Sequence, residues 1–140
     1  MTIFSNPVGN PLTYCTRHEV VNVWFAPQGA GAISGASQLG GPFITTVART
    51  AAGLFTVTLV GLAPKACLGA QAYAFDAANV DDTCATIGAV TITNLTKTIT
   101  VRVGVRTGAG VLKDVAAAAT SLVKLTLDFK TYPGTDATQL

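Results

Sequence analysis

The chain holds few residues that could carry chemistry, and their spacing keeps them apart. Its single histidine, His18, lies in Thr16-Arg17-His18-Glu19, just after Cys15. A nucleophile needs a base within hydrogen-bond reach and a further group to orient that base. On a strand, Cys15 and His18 face opposite sides, which separates them. No G-x-S-x-G elbow is present. His18 therefore reads as a surface or interface histidine, and no catalytic residue is expected.

Metal and phosphate chemistry fare no better. Cys15, Cys67 and Cys84 have no C-x-x-C spacing and no fourth ligand to complete a zinc site. They read as free thiols of a reducing compartment, with a Cys67–Cys84 bridge as the alternative if their segments are neighbours. Asp76, Asp81 and Asp82 make one acidic cluster. Without the glycine and terminal glutamate of a calcium loop, it reads as a solvated polar turn. The glycines at 104, 108 and 110 lack the Lys-Ser/Thr ending of a phosphate loop. No metal and no cofactor are expected.

Composition narrows the function classes further. Of 140 residues, 49% are hydrophobic and only 11% charged, against a usual charged share of about 25%. Residues 20–48 carry no charge at all. The net charge of +2 and the scattered bases give no footprint for nucleic acid. No run reaches the ~18 apolar residues of a spanning helix, so no membrane segment is expected. The first residues lack a basic and then apolar leader, so the chain is expected to be made in a cytosol. A soluble surface is normally covered by mixed charge. One this poor in charge suits a chain largely covered by partners.

Strands must position whatever surface the chain presents. Alternation is strong in three segments, with inward sets Phe55, Val57 and Leu59; Ile99, Val101, Val103 and Val105; and Val123, Leu125, Leu127 and Phe129. Weaker strands are expected over 20–25, 43–49, 67–75 and 86–93. Residues 94–97 read as a hairpin loop, and Gly53 as a positive-φ turn residue. Asp114 reads as the N-cap of a short helical turn through Thr120. The whole predicts one all-β domain over 1–140, a jelly-roll-like antiparallel β-sandwich with one short helical turn.

Two segments stand outside that framework. Residues 1–14, rich in proline and glycine, read as an extended N-terminal arm, and 131–140 as a C-terminal tail. Residues 29–41 contain five glycines and read as a flexible loop. The arm and loop are expected to order against neighbouring chains, with Phe4, Pro7, Pro11, Ile33 and Leu39 as interface residues. Trp24 joins them as an anchor, because Val21, Val23 and Phe25 form the better inward face and aromatic residues are enriched at interfaces.

Several segments together resemble virion proteins of tailed phages: Met1-Thr2-Ile3-Phe4, the T-A-A-G-L-F-T-V-T-L run over 50–59, K-T-I-T-V-R over 97–102, D-V-A-A-A-A from Asp114, and the strand V-K-L-T-L-D-F. In length and alanine content the chain most resembles the capsid cementing (decoration) protein of a short-tailed, Bordetella-type phage. That resemblance implies a jelly-roll subunit on the capsid exterior of the virion, binding the major capsid protein and itself as a homodimer. It brings no catalytic or cofactor residues. The alternative is a phage fibre-tip or carbohydrate-binding module that stacks Tyr73, Trp24 or Tyr132 on sugar rings.

Overall fold

Alternating β-branched and aromatic residues pair as the sequence predicts, and the pairing closes two sheets over one core. The computed structural model describes residues 17–77 and 83–131. The strands are β1 (Arg17–Phe25), β2 (Leu39–Gly40), β3 (Ile44–Ala51), β4 (Leu54–Val60), β5 (Ala66–Phe75), β6 (Thr83–Thr93), β7 (Thr98–Thr107) and β8 (Leu122–Thr131). They form two four-stranded sheets, in the orders β2-β1-β8-β5 and β3-β4-β7-β6. Every pairing is antiparallel. The chain crosses between sheets after β2, β4, β5 and β7, a jelly-roll-like β-sandwich and not a meander.

All three strong inward sets are buried, none of their side chains more than 1% exposed. Val21, Val23 and Phe25 join them from β1. The Phe25 and Phe55 rings meet at 5.0 Å between the two sheets, a tilted contact worth ~1 kcal/mol beyond the area it buries. Burial weakens toward β5 and β6. There the inward positions are Ala70, Ala72, Ala74, Ala85, Ile87, Val90 and Ile92, and all remain partly exposed.

Both turns form where expected. Residues 94–97 close the β6–β7 hairpin, with Lys97 N–H donating to the Asn94 carbonyl at 3.2 Å. Gly53 turns β3 into β4 at φ +68°, and a Cβ there would lie 2.7 Å from the carbonyl oxygens of Val105 and Lys113. Glycine is required on both counts.

Two local expectations change. Residues 114–120 are not helical; among the described residues the one helical turn is a 3-10 turn at Ala36–Gln38. Asp114 does not cap the alanines because its carboxylate is committed elsewhere: Oδ1 accepts from Gly53 N–H at 3.0 Å and from Arg49 Nε at 2.9 Å. One alanine-rich turn without a cap cannot offset its nucleation cost. The glycine loop is fixed to its own domain, through Gly29 N–H on the Val115 carbonyl at 2.8 Å, the Ile33–Val47 bridge and β2 on β1. The expected arm and tail lie outside the described residues, apart from Thr131 at the end of β8. Among the described residues no helix is long and apolar enough to cross a membrane.

Candidate interaction surfaces

Four strand edges bound the sandwich, and they are not alike. At one end β2 is only two residues long. Its neighbour β3 carries Arg49 and two register irregularities against β4, while Ile33 bridges to Val47 on its open side. Shortness, bulges, charge and loop cover are the usual protections of a sheet edge. At the other end β5 and β6 run to 10 and 11 residues, and neither contains a charged residue. Each has one bulge, at Gly69's neighbour Leu68 and at Gly88. The two lie side by side, and a cleft of about 190 Å³ opens where Tyr73 and Phe75 of β5 approach Cys84 of β6. Leu68, Tyr73 and Phe75 are all about half exposed.

The outer faces of the sheets also differ. On β3-β4-β7-β6 the register aligns Thr46, Thr58, Thr100 and Thr91 in one row across the strands, a hydroxyl surface without aromatics. On the other sheet the register aligns Trp24, Lys124 and Tyr73 in one row, and Asn22, Thr126 and Gln71 in the next. Trp24 lies over Gly40, its partner on β2, where a Cβ would overlap the indole. Thr126 Oγ1 donates to Asn22 Oδ1 at 2.8 Å, and the Tyr73 hydroxyl donates to Gln71 Oε1 at 2.8 Å.

Ion pairs tie the connection before β8 to both sheets. Lys113 Nζ meets Asp76 Oδ2 at 2.8 Å, with side chains only 14% and 8% exposed. The next residue, Asp114, holds Arg49 on β3 in a two-pronged pair. That guanidinium, against the opposing pull of partial burial, keeps the Asp114 carboxyl below its ordinary range, with the Gly53 N–H adding to the effect. Asp76 is thus half of a buried pair, where the sequence suggested a solvated turn; Asp81 and Asp82 lie outside the described residues. No cluster of metal-ligating side chains occurs among the described residues.

The expected interface residues scatter. Trp24 faces outward, as its alternation implies, and is 36% exposed. Ile33 is buried in the domain's own core and presents no free side chain to a partner, while Leu39 packs against that core and is only partly buried. Phe4, Pro7 and Pro11 lie outside the described residues, as do Cys15 and Tyr132. His18 is exposed on the outer face, its Nδ1 3.3 Å from Asp128 Oδ1. No hydrogen bond joins the two, since Asp128 Oδ1 accepts none. Cys67 and Cys84 are free thiols, on different strands and without a bridge.

The surfaces that sequence reasoning missed depend on register. Lys124 is visible in the sequence as an outward residue of a strong strand. That Trp24 and Tyr73 flank it is set by the pairing of β1 and β5 onto β8. Comparison with family models, with curated proteins and with solved structures gives no match.

Proposed function

We propose that the chain is a non-enzymatic structural protein of a phage virion, binding the outside of an icosahedral head and cementing neighbouring major capsid proteins. It pairs with a second copy of itself as it does so. The observation that supports this reading best is the pair of long, uncharged edges, β5 and β6, at one end of the sandwich. An unprotected edge of that length is a template for another chain. A subunit with a fixed neighbour on the particle has that edge covered, and needs neither the shortness that blunts β2 nor the charge that blunts β3. The charge-poor surface and half-exposed Leu68, Tyr73 and Phe75 suit the same contact. Each site need contribute only about 2–3 kcal/mol, roughly a hundredfold in affinity, because the contact repeats over the shell.

The test mixes purified protein with heads that lack it and measures occupancy. Thr91 is exposed on β6, so Thr91→Lys adds edge charge without touching the core. The variant should melt like the parent and bind heads at least tenfold more weakly. Undiminished occupancy by Thr91→Lys, or failure of the parent to bind heads, contradicts the reading.

A further inference from the structure

We infer that the outer face of sheet β2-β1-β8-β5 is a binding site for a carboxylate-bearing glycan, with Trp24 and Tyr73 as stacking platforms and Lys124 as the carboxylate contact. This inference rests on a sheet face and not on the strand edges, and Tyr73 is the one residue it shares with the capsid reading.

The three residues come from three strands and are brought into one row by register alone. Strands β1 and β5 are two spacings apart, roughly 10 Å, and the indole leans farther out over Gly40. The row therefore has the span of a short oligosaccharide laid across the strands. Sugar rings present flat C–H faces, and these stack on aromatic rings that keep one face open. Trp24 has the backbone of Gly40 beneath it. Tyr73 is tied down by its hydroxyl to Gln71. Both rings are held before any ligand arrives, which lowers the entropic cost of binding.

The neighbouring row supplies polarity with a defined sense. Thr126 and Tyr73 occupy the amide oxygens of Asn22 and Gln71, so both amide NH2 groups remain to donate to sugar hydroxyl or carboxylate oxygens. Lys124 adds an ammonium midway between the platforms and has no ion pair among the described residues. Asp128, the acid on the outer side of β8, is two pairs farther along the strand and lies beside His18. Among the described residues the face offers donors and a cation but no nearby carboxylate, and this selects an acidic sugar over a neutral one. The opposite outer face, with its threonine row, lacks any aromatic platform.

Trp24 is the chain's only tryptophan, so its fluorescence reports directly on the site. The probes are short oligomers of galacturonate, glucuronate and mannuronate, each beside its methyl-esterified, neutral form. At least one acid oligomer should produce a saturable fluorescence change in the full chain, with weaker binding of its ester. By calorimetry, Trp24→Ala and Tyr73→Ala should each lose about tenfold in affinity. Lys124→Gln should bind acid and ester alike, and Gly40→Ala, which displaces the indole, should weaken both. Melting curves accompany every variant; the Lys124→Gln change is solvent-exposed and keeps the fold testable if an aromatic variant is unstable. No saturable change with any of the acid oligomers, or Lys124→Gln retaining the parent's preference, overturns the inference. Head occupancy by Lys124→Gln should be unchanged, which separates failure here from failure of the capsid reading.

Discussion

Asp114 joins the connection before β8 to β3 and to the β3–β4 turn. Its carboxylate receives the Arg49 guanidinium from β3 and the Gly53 N–H from the β3–β4 turn. Held below the ordinary carboxylate value of about 3.9, it contributes stability that is fully present above that pH. The contribution is lost as the pH falls through its lower folded value. Asp114→Asn keeps an acceptor for Gly53 but loses the ion pair. The variant should melt lower than the parent at neutral pH, and the gap should narrow as both are acidified below pH ~4. A gap that is constant with pH would show that the charge contributes nothing. The thiols offer a second test at this scale. Burial pushes the Cys67 thiol up, whereas Cys84 is exposed. Mass spectrometry after brief alkylation at neutral pH should find Cys84 labelled ahead of Cys67, since the thiolate is the reactive form. Equal labelling would count against the described placement of β5.

Among the elements, β4, β7 and β8 were legible because each repeats one apolar face without a break. Val101, Val103, Leu125 and Leu127 could be placed inward from alternation alone. The edge strands were fainter. Alanines at 70, 72 and 74 mark the inner face of β5 with little hydrophobic contrast, and β2 is too short to carry a period. The 114–120 helix was misread because a capping residue and a helical one are local signals, while the Arg49 that claims Asp114 is 65 residues away. The same limit hid the Trp24–Lys124–Tyr73 row. Local sequence says which face a residue takes, and only pairing says who stands beside it. Two substitutions probe these elements. Leu125→Ala should cost about 2–5 kcal/mol by leaving a cavity in a fully buried site. Gly53→Ala should cost about 1–3 kcal/mol, because it combines a positive φ with two carbonyls in the way. Both are read from denaturant midpoints, and a loss under ~0.5 kcal/mol in either would contradict the described packing.

At the scale of the molecule the two sheets are tied through one short connection and also meet where β5 lies beside β6. Lys113 and Asp114 are adjacent in sequence, yet pair with Asp76 after β5 and Arg49 on β3, so one short segment ties both sheets together. Removing Asp76 from the Lys113–Asp76 pair should cost about 3 kcal/mol, because it leaves the buried Lys113 ammonium uncompensated. The cementing reading depends on what covers the long, uncharged edges of β5 and β6. A density map of the particle tests that claim most directly. The proposed arrangement places the chain on the outer shell, across the boundary between neighbouring major capsid proteins, with the edges of β5 and β6 against another chain. A map that locates it on the tail, or on the shell with both edges facing solvent, would contradict it.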